Sequence, residues 1–284
     1  MPRNIQTFTT RQVMQGKTFE IFHYHQPKAE RVEVHHHDFY EIYLFLRGTV
    51  SYRVEGRIYR LEPGDLLLIN PMELHQLMVE DPHTPYERIV LWIDKSYLES
   101  FSPLADLTAC FDTASPNHSN LLRLTASQRS DLRLRMEELV RECYQDRFGS
   151  ALCAQGVFLQ LMVQLNRLAI GSGYLRSSGE ESTPLVTQVL GYIAAHYHEP
   201  ITLDALAARF YVSKYHLSHE FSRVVGTSVY RYITLKRLLI ARQLLAEGGS
   251  PGSVCTACGF QDYTNFYRAF KTQYGISPKD CAGL

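Results

Sequence analysis

Hydrophobic and polar positions alternate with period two between about residues 19 and 99, which predicts short β-strands. They fall at 19–24, 32–35, 40–46, 50–54, 57–61, 66–69, 75–79 and 86–93. Turn signals separate them at Arg47-Gly48, Glu55-Gly56, Pro63-Gly64 and Pro71 to Leu74. Strands this short, punctuated this regularly, predict a barrel or a double-sheet jelly roll. From Thr125 the period becomes about 3.6. Leu132, Met136, Leu139, Val140 and Cys143 make one apolar stripe; after Phe148-Gly149, Leu152, Phe158, Leu159, Met162, Leu165, Asn166 and Ile170 make another. Two amphipathic helices joined by a short turn predict an antiparallel pair. Residues 171–184 are small and polar, the composition of a flexible linker. Helical patterning resumes at Leu185. The reading is an α+β chain in two domains: a β-barrel or jelly roll over 1–124 with a helical pair over 125–170, then the linker over 171–184 and an all-α domain over 185–284.

The all-α domain carries one pattern twice. An offset of 49 residues pairs Ala208 with Ala257, Ser213 with Asp262, Leu217 with Phe266, Phe221 with Phe270, Gly226 with Gly275 and Ser228 with Ser277. Each copy reads as a helix-turn-helix. Small residues (Ala207 and Ala208; Ala257) let the first helix approach its partner, and Gly259 supplies a positive φ in the second turn. Ser213 or Asp262 caps the second helix. The apolar pairs four residues apart bury one face of that helix, and the closing glycine ends it. The opposite face keeps Tyr215, Ser218 and His219 in the first copy and Thr264, Tyr267 and Arg268 in the second. A helix apolar behind and hydrogen-bonding in front suits the major groove of DNA.

Charge sharpens this picture. The 284-residue chain is formally neutral. From Pro184 onward it holds ten Lys and Arg against six Asp and Glu, so this part is at +4 and the first 183 residues are at −4. A basic half beside an acidic half suits phosphate binding by the former. Residues 1–16 are polar, unlike a signal peptide, and no apolar run approaches the roughly 20 residues that span a bilayer, so no membrane role and a cytoplasmic location are expected. Six cysteines point to free thiols in a reducing compartment. Cys255-x-x-Cys258 leaves two readings: packing cysteines, or a redox or alkyl-transfer sensor, which requires a low-pKa thiol.

Residues 201–281 resemble the DNA-binding domain of the AraC family of bacterial transcription regulators. The motif is Gly259-Phe260-x-Asp262-x-x-x-Phe266-x-Arg268-x-Phe270-Lys271-x-x-x-Gly275-x-Ser277-Pro278, with Arg237 to Leu245 fitting the family's linker helix. Cys281, where Tyr or Phe is common, and Ser253-Val254-Cys255 depart from it. The resemblance implies a double-stranded DNA partner, reading helices near 213–225 and 262–274 spaced by a helix near 231–246, RNA polymerase as a further partner, and activation. Arg268 leads as the base reader, since Arg pairs bidentately with guanine. Tyr215, Ser218, His219, Thr264 and Tyr267 follow as base readers, and Lys214, Arg223 and Lys271 as phosphate holders.

The front domain resembles a cupin, through His35-x-His37-x-x-x-Glu41 with Gly48 after it, and a degenerate second motif of Gly56, Pro63-Gly64, Pro71 and His75. On a strand, positions 35, 37 and 41 share a face. In regulators of this kind the barrel takes a small polar effector without metal or cofactor; the effector site expected here is His35, His37, Glu41, Tyr43 and His75, and the aromatic content suggests a carbohydrate. In cupin enzymes the corresponding set, His35, His37, Glu41 and His75, holds a metal, which leaves open a metalloenzyme of dioxygenase or isomerase type fused to a DNA-binding module. The helical pair is expected to join two copies as a homodimer, the alternative being a lid on the barrel.

Overall fold

The computed structural model describes residues 13–30, 32–71, 73–112, 119–170, 183–282 and the backbone of 175–176. The chain divides into two compact units, Met1–Glu181 and Ser182–Leu284.

The first unit is a pair of antiparallel sheets beside a helical hairpin. Its strands are β1 (Phe19–Gln26), β2 (Tyr40–Arg47), β3 (Val50–Val54), β4 (Arg57–Arg60), β5 (Leu66–Ile69), β6 (His75–Val79), β7 (Tyr86–Ile93), β8 (Leu121–Arg123) and β9 (Leu175–Arg176). One sheet runs β1-β7-β2-β5-β8-β9 and the other β4-β3-β6, a jelly-roll-like arrangement whose sheets do not close into a barrel. The β3–β4 turn uses Glu55 (φ 45°) and Gly56 (φ 80°), the two positive φ angles of a tight hairpin.

The larger sheet is covered on both faces, which is why every residue of β7 is buried. Tyr86, Val90 and Trp92 point between the sheets with Tyr43, Phe45 and Tyr52. Ile89, Leu91 and Ile93 point the other way, onto α2 (Ala126–Tyr144) and α3 (Ser150–Ile170). Phe19 of β1 stacks on Phe158 of α3 at 4.5 Å. The short helix α1 (Lys95–Glu99) follows β7.

Four expectations need correction. Residues 32–35 form no strand: His35 makes a single bridge to His75, and Gln76 donates its side-chain amide to the Val32 carbonyl where a ladder bond would fall. β6 pairs with β3 on its other edge, so the segment has one residue of β6 to grip. The linker is not wholly without structure, because Leu175 and Arg176 pair with Arg123 and Leu122; the rest of 171–182 lies outside the described residues. Cys143, Leu152 and Ile170 are exposed. All three lie in a terminal turn of their helix, where the stripe is no longer covered. Leu132, Met136, Leu139, Val140, Phe158, Met162, Leu165 and Asn166 are buried as expected, Asn166 bridging the carbonyls of Leu107 and Met162 and the Cys110 amide.

The second unit is helical: α4 (Pro184–His196), α5 (Leu203–Arg209), α6 (Lys214–Val225), α7 (Val229–Ala246), α8 (Pro251–Ala257), α9 (Tyr263–Tyr274) and α10 (Pro278–Cys281). Leu217 and Phe221 of α6, and Phe266 and Phe270 of α9, are fully buried. The central α7 packs on both copies, with Tyr232 edge-on to Phe221 and Leu238, Ala241 and Leu245 among the α8 and α9 side chains. Arg237 of α7 donates to the carbonyls of Tyr197 and Glu199, both at 2.7 Å, tying down the segment after α4.

The fourth correction concerns the repeat. From first-helix cap to turn the copies are related by 48 residues, not 49. Thr202 and Ser250 cap α5 and α8. Ala207 matches Cys255, both buried, and the carbonyls of these two accept from Val212 and Phe260. Ala208 and Ala257 are therefore not equivalent, and both are exposed. Gln261 is the additional residue that restores the offset to 49 at the caps Ser213 and Asp262. The positive φ of Gly259 (79°) has Tyr211 (55°) as its counterpart.

Candidate nucleic-acid interface and buried histidine site

The helices α6 and α9 are each locally defined. Ser213 Oγ accepts from the His216 amide (3.2 Å) and Asp262 Oδ1 from the Asn265 amide (2.7 Å), satisfying N–H groups that the helix leaves free. Gly226 (φ 81°) and Gly275 (φ 74°) close the helices in the left-handed region, which glycine enters without a Cβ penalty.

With the apolar stripes buried, Tyr215, His219, Thr264 and Arg268 are exposed and Ser218 and Tyr267 are half-buried. Tyr215 is 82% accessible and lies nearly parallel to His219, ring centroids 6.2 Å apart. Lys214, Arg223 and Lys271 are exposed too. Lys214 Nζ is 2.5 Å from Asp204, and Arg223 grips Glu220 at 2.8 Å, so both cations are paired with a carboxylate of their own unit. Surface pairs of this sort are weak enough to be exchanged. Tyr211, 96% accessible in the turn before α6, and Tyr263 at the start of α9 are exposed as well, and the sequence did not single them out.

In the first unit His37, Glu41 and His75 come together, with one ligand atom from each within 4.8 Å of the others. His35 stands beside them, 4.2 Å from His75 between ring centroids, but outside this set. The even spacing of 35, 37 and 41 gives the wrong reason for the cluster, since only Glu41 lies on a strand. His75 opens β6, and the His35–His75 bridge draws the preceding loop against it. Tyr43 is buried and turned to the Tyr86 hydroxyl. Two groups that the sequence did not single out complete the surroundings: Trp92 donates its indole N–H to Glu41 Oε2 at 2.8 Å, and the Tyr52 hydroxyl reaches Glu41 Oε1 at 3.5 Å.

Burial lowers His35 to about 4, and with the neighbouring imidazoles it takes His75 well below the usual histidine range. Burial would raise Glu41, but His37, His35 and the Trp92 indole outweigh it and hold the carboxyl below its ordinary value. Burial raises Tyr43 and Tyr52 well above the ordinary tyrosine range. The site therefore presents neutral imidazoles at His35 and His75 facing a carboxylate.

The sensor reading of Cys255 and Cys258 fails on its own requirement. Both thiols are buried, and burial raises both, Cys258 to about 11, the opposite of an activated thiolate. They pack against Phe266, Phe270 and Cys281.

Paired helix-turn-helix units behind a jelly-roll-like ligand domain define a class of ligand-responsive DNA-binding regulators. Residues 18–162 match the AraC-like ligand binding domain and residues 206–282 a helix-turn-helix domain. The chain belongs to the AraC family of transcription regulators. It is 26% identical over 251 residues to the HTH-type transcriptional activator RhaS of Escherichia fergusonii, covering 87% of this chain and 86% of that one. The C-terminal domain of AraT, a response regulator from Geobacillus stearothermophilus, is 25% identical and covers 37% of this chain and 88% of that chain with a TM-score of 0.36. ToxT from Vibrio cholerae O395 is 12% identical, covering 94% of this chain and 98% of that chain with a TM-score of 0.37. No helix among the described residues is long and apolar enough to cross a membrane.

Proposed function

We propose that this regulator reads specific DNA through α6 and α9, activates transcription, and responds to a small polar effector held between the sheets of its first unit. The observation that carries the DNA reading is the matched build of α6 and α9: each capped at its start, buried through two aromatic or aliphatic side chains, closed by a glycine and polar on its free face. Two such helices enter successive major grooves about 10 bp apart. Arg268 reads a base, supported by Tyr215, Ser218, His219, Thr264 and Tyr267, while Lys214, Arg223 and Lys271 fix register on phosphates. Activation is supported by the name of the RhaS relative, a transcriptional activator. RNA polymerase is then the partner that activation requires. A carbohydrate suits the hydroxyls of Tyr43 and Tyr52 and the ring of Trp92.

Homodimerisation fits the outward groove between α2 and α3. It offers Leu134 beside Asp131 and Glu138 of one sign and Arg135 and Arg167 of the other, a composition that a second copy can complement.

The test is capture of genomic fragments by the purified chain, followed by quantitative binding to an enriched fragment. Arg268→Ala should weaken binding by about 1–3 kcal/mol and relax preference at one base pair. Equal weakening on every sequence would remove Arg268 from base reading.

A further inference from the structure

We propose that the first unit binds an α-amino acid with an apolar side chain in a cleft at the start of α3. The cleft encloses about 710 Å³ where the beginning of β1 and the helix α1 meet the turn between α2 and α3, a size usual for small-molecule sites. Phe19, which lines it, stacks on Phe158 of α3, so the cleft lies on the helical side of the larger sheet and not between the sheets. It is therefore a second site, beyond the effector reading, and does not depend on DNA binding.

One wall is the first turn of α3, a helix of 21 residues. The first N–H groups of a helix find no partner within it, and the aligned peptide dipoles place about half a positive charge there. Gly149 precedes the helix and has no side chain with which to cap it. The Ser150 amide donates to the Arg147 carbonyl and the Cys153 amide to that of Gly149, which leaves the amides of Ala151 and Leu152 without an acceptor among the described residues. Beside them stands a second group without a partner. Ser150 lines the cleft, is only 7% accessible, and its Oγ is buried with no hydrogen-bond partner among the described residues. A buried hydroxyl left unpaired costs about 1–3 kcal/mol. Free amides and an unanswered hydroxyl at a helix start are met together by a carboxylate, the group that such a terminus binds.

The facing charges decide what else the ligand carries. Glu142 is held by Arg147 at 2.6 Å, so these two cancel. Asp146 also lines the cleft and makes no ion pair among the described residues. A simple anion drawn to α3 is repelled by Asp146. A ligand with an ammonium close to its carboxylate satisfies both walls, and in an α-amino acid one carbon carries the two groups. The remaining lining is apolar: the rings of Phe19 and Tyr97 with Ala154 offer a surface on which an apolar side chain is removed from water.

The test is titration calorimetry of the full chain with leucine, isoleucine, valine, methionine, phenylalanine and tryptophan, together with the thermal midpoint at saturation. At least one of them should bind at one molecule per chain and raise the midpoint. Its amide, which lacks the carboxylate, and its N-acetyl form, which lacks the ammonium, should each bind at least about tenfold more weakly. Asp146→Asn should weaken the parent amino acid at least about tenfold and leave the N-acetyl form unchanged. Ser150→Ala should weaken the parent by a similar factor while the midpoint without ligand stays no lower than that of the wild type, because the hydroxyl it removes has no partner. Neither heat nor a midpoint shift with any of the six overturns the proposal. So does an amide or N-acetyl form that binds as tightly as its parent. Unchanged affinity in either variant overturns it as well, since the ligand then sits elsewhere, for example between the sheets.

Discussion

Gly259 and Tyr211 occupy the same point of the two turns and show how differently one backbone requirement can be met. Both have positive φ, at 79° and 55°. At Gly259 the constraint is double, because an added Cβ would lie 2.6 Å from the His198 carbonyl oxygen, and backbone cannot move aside as a side chain can. Gly259→Ala should therefore cost at least about 2 kcal/mol, the left-handed penalty plus the clash, measured by chemical denaturation of the wild type and variant. At Tyr211 the side chain stands in solvent and only the backbone penalty remains. Tyr211→Gly should change stability by no more than about 1 kcal/mol in either direction, since relief of strain and the larger entropy of an unfolded glycine nearly offset each other. A loss as large as that of Gly259→Ala would mean that the Tyr211 ring has a packing role in the turn.

At the scale of elements, α9 depends on few residues, and these were the ones legible in the sequence. Asp262, Phe266, Phe270 and Gly275 each sit at a position where residue type and backbone state are tightly coupled: cap, core, core and left-handed stop. Asp262→Ala should cost about 1 kcal/mol of stability through loss of the cap to Asn265, while Phe266→Ala should cost about 3–5 kcal/mol through the cavity it leaves. A calorimetric comparison that ranked them in the reverse order would show α9 to be held by its end and not by its core. The strands β2 to β7 were legible for a similar reason, as their turns need glycine, proline or a positive φ. What escaped was set by partners far away in sequence. β8 has three residues and no pattern of its own, and it exists because β5 offers an edge. The Val32–His35 alternation looks like a strand but finds only one bridge. His37, Glu41 and His75 were found from their motif, yet the contacts that orient them, from Trp92 and from the Phe39 and Glu73 carbonyls, come from backbone geometry and a strand 51 residues away from Glu41 in the chain, as no spacing rule could show.

Across the whole molecule, charge divides where the fold divides. The chain is neutral overall, but the DNA-reading unit carries the +4 and the ligand-binding unit the compensating −4. DNA affinity that does not depend on sequence comes from phosphate neutralisation and falls with salt. A tethered acidic unit opposes that attraction as long as the Debye length is comparable to the size of the domains, about 30 Å at 0.01 M and about 8 Å at 0.15 M. Residues 182–284 expressed alone should therefore bind random-sequence DNA more tightly than the full chain at low ionic strength, and the advantage should shrink towards nothing as salt rises. Fluorescence anisotropy of a labelled random duplex, titrated with both proteins from low to physiological salt, measures the two slopes. Parallel slopes would mean that the acidic unit lies too far from the bound DNA to be felt; converging ones would mean that it restrains unspecific binding.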